Sequence, residues 1–143
     1  MTKEYTPGII SCVFRTGDGK KHVDNISSGG IYVGVDHYKG ILYSKGYRSL
    51  TFGGEIFERH PKTNIVFYNY QLPYFSEALK LALKAAMELP SLRLIGWDFA
   101  ITNDGPVLIE GNPRSSFATV EAAFGGYRDK ESFKEMLQEA GLI

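Results

Sequence analysis

Cysteine is nearly missing from this chain: Cys12 is the only one in 143 residues, so no disulfide can form within it, and a reducing compartment suits it. Net charge is missing as well. Sixteen basic and sixteen acidic residues cancel, and without a basic run there is no general attraction to nucleic acid or to an anionic membrane. No apolar stretch is long enough to span a bilayer, and the first residues, MTKEYTPG, lack the apolar core of a signal peptide, so the expected location is cytoplasmic. Repeats, low-complexity tracts and linkers are also absent. The length fits one domain over residues 1–143, enough for a real core but short for separate nucleotide and substrate lobes. Cys12 lies in an apolar run and reads as a small buried residue rather than a nucleophile. His22, His37 and His60 have no metal-ligand spacing among themselves and read as surface or hydrogen-bonded residues.

What the chain does have is concentrated in residues 95–112, IGWDFAITNDGPVLIEGN. Residues 96–102 and 106–112 are rich in strand formers. Between them Asn103-Asp104-Gly105 reads as a three-residue hairpin loop, with Gly where a left-handed residue is wanted. That loop sets Thr102 opposite Pro106, Ala100 opposite Leu108, Asp98 opposite Glu110 and Gly96 opposite Asn112, all on one side by the period of two. Two carboxylates then meet about 5 Å apart, which destabilises a sheet unless positive charge lies between them. A divalent metal would supply it. Two carboxylates and an amide oxygen are hard ligands, suited to magnesium or manganese rather than zinc, and magnesium usually brings phosphates. The alternative is a solvated polar face on an edge hairpin. The opposite face, Trp97, Phe99, Ile101, Val107 and Ile109, reads as core.

Around this hairpin the chain alternates between short strands and helices. Residues 9–14 form an apolar run with Arg15 at its end, a strand leading into the turn-rich residues 16–21. Ser27-Ser28-Gly29-Gly30 precedes a strand over 31–35; such a turn exposes backbone N–H groups that can hold phosphate oxygens, though glycine pairs are more often plain turns. A second hairpin over 36–48 turns at Tyr38-Lys39-Gly40. Residues 60–64 read as a loop and 65–70 as a short strand, with Phe67, Tyr68 and Tyr70 packing a core or lining an edge. Pro73 or Ser76 opens a helix that Pro90 stops. Its apolar face of Phe75, Ala78, Leu79, Ala82, Leu83 and Ala86 is wide enough to cover a sheet. Ser116 caps a helix to about Phe124, Gly125-Gly126 breaks it, and a last helix runs from near Asp129 to Gly141. Strands in groups followed by helices give an α+β domain, a mainly antiparallel sheet covered by helices.

Taken together, several blocks carry a family resemblance. They are Arg15-x-Gly17 leading to Val23-Asp24-Asn25 and Gly29-Gly30-Ile31; His60-Pro61 and Thr63; Gln71-Leu72-Pro73-Tyr74; Ile95-Gly96-Trp97-Asp98; and the run from Asp104 to Asn112. In this order, over about residues 9–112, they resemble the C-terminal part of an ATP-grasp domain, in the sugar-transfer-associated, alpha-L-glutamate-ligase-related branch found with bacterial surface-polysaccharide genes. The resemblance implies ATP-dependent carboxylate–amine ligation through an acylphosphate. It assigns Asp98, Glu110 and Asn112 to magnesium or manganese on the ATP phosphates, Arg15 to the transferring phosphate, and Asn25, Gly29 and Gly30 to the phosphate-side or acceptor-side loop. Phosphoryl transfer asks for this layout, because metal ions and positioned cations stabilise its charge with little covalent work by the protein. Arg114 is a candidate partner for a substrate carboxylate, or an ordinary surface residue. The lobe that carries the adenine-binding hinge and the phosphate-contacting lysines has no recognisable counterpart here, and none of Lys20, Lys21, Lys39 and Lys45 stands in one.

Two classes of function follow. One is a ligase, or the metal- and phosphate-binding half of one, acting on a small-molecule or glycan-linked acid or amine. The other is a non-catalytic module whose exposed sheet edge docks a partner chain or a second copy. A nucleic-acid role has no support in the neutral charge.

Overall fold

The computed structural model describes residues 6–19, 29–116, 121–127 and 130–143. Its elements are the α+β set expected: six strands and two α-helices among the described residues, with every strand pairing antiparallel. The chain divides into two compact units. One holds residues 6–10, Pro73–Ser115 and Glu131–Ile143, the other the described residues of Ser11–Leu72 and Ser116–Lys130. No helix among the described residues is long and apolar enough to cross a membrane.

The second unit is a four-stranded sheet in the order β1-β2-β3-β4, with β1 Cys12–Thr16, β2 Ile31–Asp36, β3 Ile41–Arg48 and β4 Ile56–Phe57. β2 lies inside this sheet, and its Ile31, Tyr32, Val33 and Val35 are buried, joined in the core by Leu42, Phe67, Leu72 and Tyr127. The β2–β3 turn is held by Asp36, whose Oδ1 accepts from the backbone N–H groups of Tyr38 and Lys39 at 3.0 and 3.1 Å. A 3-10 turn, Glu121–Phe124, packs on β2 and β3. Gly34 makes room for it: a Cβ there would fall 2.9 Å from the Ala123 carbonyl oxygen and 2.6 Å from the Tyr43 ring. Tyr127 anchors the same segment, with its hydroxyl 3.0 Å from Ser11 Oγ.

Three local expectations need correction in this unit. β1 begins at Cys12 rather than Ile9 and runs on through Arg15, opposite Tyr32, to Thr16. Residues 65–70 are not a strand. Only Val66 bridges, to Arg59, because Asn64 and Asn69 each take a φ of 60°, a left-handed geometry that asparagine tolerates and a strand forbids. Phe67 is buried, while Tyr68 and Tyr70 are exposed. The helix expected from Ser116 to Phe124 is described only as the 3-10 turn, the preceding residues 117–120 lying outside the described set.

The first unit is a hairpin, β5 Gly96–Thr102 and β6 Gly105–Asn112, with α1 Phe75–Met87 packed on β6. Ala78 and Ala82 are the buried centre of the expected apolar face of α1. Neither Pro73 nor Ser76 caps this helix. Tyr74 is the N-cap, with φ 53° and no side-chain cap bond, and its hydroxyl donates to the Asn103 carbonyl at 2.9 Å, tying the helix start to the hairpin tip. α2, Glu131–Glu139, ends as expected at Gly141. There φ is 68°, the Leu142 N–H donates to Leu137 O at 2.9 Å, and the Gly141 N–H donates to Gln138 O at 3.0 Å, the paired bonds that satisfy a helix's last carbonyls.

Candidate functional site

The β5–β6 hairpin places the acidic pair by two compensating irregularities. At its tip Thr102 stands opposite Gly105, so the loop is Asn103-Asp104 and one residue shorter than expected. Thr102 closes it. Its Oγ1 donates to the Gly105 carbonyl at 2.8 Å and accepts from the Asp104 N–H at 3.2 Å. Gly105 has φ 126°, out of reach of an ordinary side chain. From this tip a regular ladder would set Asp98 opposite Ile109 and turn Glu110 to the other face. A bulge between Asp98 and Phe99 takes up the extra residue. Phe99 pairs with Leu108, Asp98 with Glu110, Trp97 with Gly111 and Gly96 with Asn112. The pairs expected for Asp98 and Gly96 therefore hold, while those expected for Ala100 and Thr102 are one residue off.

The bulge also corrects the apolar face. Val107 pairs with Ala100 and so shares the side of Asp98, while Leu108 and Pro106 join Phe99 and Ile101. Ile109, the extra residue, is 61% exposed rather than core, and Ile101 and Val107 are 39% and 48% exposed.

Two glycines let the base of the hairpin close. The Trp97 ring lies across Gly111, where a Cβ would come within 2.4 Å of it, and Ser115 fills the space a Cβ would take on Gly96, its Oγ 2.3 Å from that position. The chain after β6 is thereby turned back on the hairpin. Asn112 Oδ1 accepts from the Arg114 N–H at 2.8 Å, which orients the amide and leaves its oxygen a second lone pair. Asp98 is half-buried, and Glu110 and Asn112 are exposed. Asp98 paired with Glu110, and Asn112 opposite Gly96, bring together side chains with hard oxygen donors, of the kind that suits magnesium or manganese. No cluster of three or more His, Cys, Asp or Glu at metal-holding spacing occurs among the described residues.

The other sequence-marked residues lie in the four-stranded unit. Arg15 is half-buried in β1, and Gly29 and Gly30 precede β2 at the same end of the β1–β2 pair, Thr16 being opposite Ile31. Gly29 takes φ 91°. Asn25 lies outside the described residues, as do Lys20, Lys21 and His22. His60 pins this end. Its Nδ1 accepts from the N–H groups of Lys62 and Thr63 at 3.3 and 3.2 Å, so Nε2 carries the proton and donates to Gly17 O at 2.8 Å.

Arg48 is the residue that sequence reading missed. Its guanidinium bonds to Asp18 Oδ2 at 3.2 Å, to Gly29 O at 3.2 Å and to Glu55, and lies 5.1 Å from the Phe57 ring centre. These hydrogen-bonding partners are 30, 19 and 7 residues away along the chain, so no local spacing announces them.

The motif order and the hairpin geometry meet in one comparison: residues 3–140 match the family described as sugar-transfer associated ATP-grasp. The chain belongs to that family. No curated protein and no solved structure matches it. ATP-grasp membership places the chain in an ATP-dependent, ligase-like superfamily, and its fold is of the α+β, antiparallel kind that a part of such a domain requires. Within this ATP-grasp chain, Lys39 is engaged at the β2–β3 turn, 3.9 Å from Asp36, and Lys45 is exposed on β3. Arg114 is exposed. Cys12 is half-buried, and burial, which disfavours the thiolate, pushes its thiol up to about 11, against a smaller opposing pull from the Lys130 ammonium.

Proposed function

We propose that this chain supplies the metal- and phosphate-binding half of an ATP- and magnesium-dependent carboxylate–amine ligase. The observation that carries the reading is the pairing of Asp98 with Glu110 and of Gly96 with Asn112, which sets two carboxylates and an amide on one side of a hairpin in an ATP-grasp chain. In the reaction a substrate carboxylate oxygen attacks the γ-phosphorus, ADP leaves, and an amine then displaces phosphate from the acylphosphate, losing a proton as the amide forms. Bound magnesium or manganese would neutralise phosphate charge. Asp98, Glu110 and Asn112 would hold it, Arg15 would stabilise the transferring phosphoryl group, and Asn25, Gly29 and Gly30 would belong to the phosphate-side or acceptor-side loop.

The family's link to sugar transfer favours a substrate from surface-polysaccharide or peptide modification, a glycan-linked acid or amine, and a reaction that draws on ATP belongs in the cytoplasm. Magnesium with a non-hydrolysable ATP analogue should raise the melting temperature, and neither Asp98→Asn nor Glu110→Gln should show the rise. Turnover by the 143 residues alone should be weak; robust unaided ligation would contradict a half-site. A second reading, a non-catalytic module that docks a partner chain or a second copy, is favoured by the exposed Ile101, Val107 and Ile109. It requires a complex in sizing experiments and no response of stability to the nucleotide.

A further inference from the structure

Gly96 is a glycine for reasons of space. It is not among the residues with a left-handed backbone, so its conformation alone would admit an ordinary side chain. What excludes one is Ser115, whose Cβ and Oγ occupy the place a Cβ on Gly96 would take. The direction of that place matters. Gly96 pairs with Asn112 and stands two residues before Asp98, which pairs with Glu110, and the ladder is regular over this stretch, the bulge lying beyond Asp98. Cross-strand partners, and residues two apart along a strand, point to one side of a sheet. The Ser115 hydroxyl therefore lies on the side of the hairpin that carries Asp98, Glu110 and Asn112. It is brought there by the turn after β6, where the bond from the Arg114 N–H to Asn112 Oδ1 folds the chain back over the start of β5.

The hydroxyl is also open to a ligand. Ser115 is half-buried and its Oγ bonds to no described residue, yet no buried side-chain oxygen or nitrogen among the described residues lacks a partner, so this Oγ reaches solvent. Every residue involved belongs to the same compact unit, within its stretch Pro73–Ser115. An ionised carboxylate only accepts, so Asp98 and Glu110 can hold a cation but offer no proton to the oxygens it carries. Ser115 supplies an O–H on that side.

We infer that the Ser115 hydroxyl is a further ligand-binding group of this hairpin, donating a hydrogen bond to an oxygen carried by the metal, either a coordinated water or a phosphate oxygen. This rests on the metal-site reading above and adds a residue outside the Asp98, Glu110 and Asn112 set.

The test titrates the full chain with manganese by calorimetry, once alone and once with a non-hydrolysable ATP analogue, while nitrogen–proton NMR follows the Ser115 amide and circular dichroism checks that each variant is folded. In the unaltered chain the Ser115 amide should broaden together with those of Glu110 and Asn112. Ser115→Ala keeps the Cβ that fills the place over Gly96 and removes only the hydroxyl. It should bind manganese about ten-fold more weakly, the effect of losing one hydrogen bond within a charged assembly. A loss in both titrations identifies the acceptor as coordinated water, and a loss only with the analogue identifies it as a phosphate oxygen. Ser115→Thr, which retains a hydroxyl, should recover the affinity that Ser115→Ala loses. Affinity unchanged by Ser115→Ala in both titrations, or an equal loss in Ser115→Thr, would overturn the inference, as would a Ser115 amide that stays sharp while that of Glu110 broadens. Binding abolished by Asp98→Asn but untouched by Ser115→Ala would overturn this inference alone, whereas no manganese binding by the unaltered chain would overturn the metal-site reading with it.

Discussion

Asp98 stands directly opposite Glu110 although the hairpin tip, with Thr102 opposite Gly105, is set for a different register; the single extra residue of the bulge reconciles the two. Ile109 is thus the residue that the bulge takes up, leaving Glu110 opposite Asp98. Deleting Ile109 would leave a regular ladder with every other pair retained, so magnesium-dependent stabilisation should persist. Deleting Gly111 instead would bring Asn112 opposite Trp97, on the other face, and magnesium affinity should fall. Calorimetric titration of the two deletions with magnesium and nucleotide distinguishes them; equal losses would mean that the register does not matter.

Gly111→Ala should destabilise the hairpin by about 1–3 kcal/mol, the usual cost of forcing extra volume into a filled space, since a Cβ there would meet the Trp97 ring at 2.4 Å. Tryptophan fluorescence during urea unfolding reads this directly, because Trp97 is the only tryptophan. An unchanged midpoint would show that the ring moves aside freely.

His60→Ala removes an acceptor for two amides and a donor to Gly17, and should cost about 1–2 kcal/mol. Hydrogen exchange should quicken at Lys62 and Thr63. Exchange unaltered at both would deny the imidazole its pinning role.

Cys12 sets a pH dependence. Burial raises its thiol from 9.0 to about 11, so the folded state holds the proton more tightly than the unfolded chain does. The associated stability is fully present below pH 9 and is lost as pH climbs through 11. At pH 8 the thiolate is about a hundred-fold scarcer than in an unperturbed thiol, and alkylation of the folded chain should be slower by a similar factor. Labelling at the rate of the unfolded chain would contradict the burial.

Much of the site was legible in the sequence because strand side chains alternate with a period of two: Asp98 and Glu110 lie at suitable distances from a turn that Gly105 marks. What was not legible is how the turn closes. A threonine hydroxyl shortened the loop by one residue and a bulge restored the count, two errors that cancel at Asp98 and remain visible at Ala100 and Val107. Asn64 and Asn69 did carry a signal, their tolerance of left-handed geometry, which outweighed the β-branched and aromatic residues between them. Arg48 carried none, since its role consists of partners distant in sequence that come together only on folding.

Manganese tests the central claim most directly, because it substitutes for magnesium at hard oxygen sites and its unpaired electrons broaden nearby NMR resonances. Titrated in substoichiometric amounts with a non-hydrolysable ATP analogue, it should erase the amide signals of Asp98, Glu110, Gly111 and Asn112 before those of the α1 and α2 helices, and Asp98→Asn should abolish the effect. Broadening that begins elsewhere, or that survives Asp98→Asn unchanged, would contradict a metal site on this hairpin.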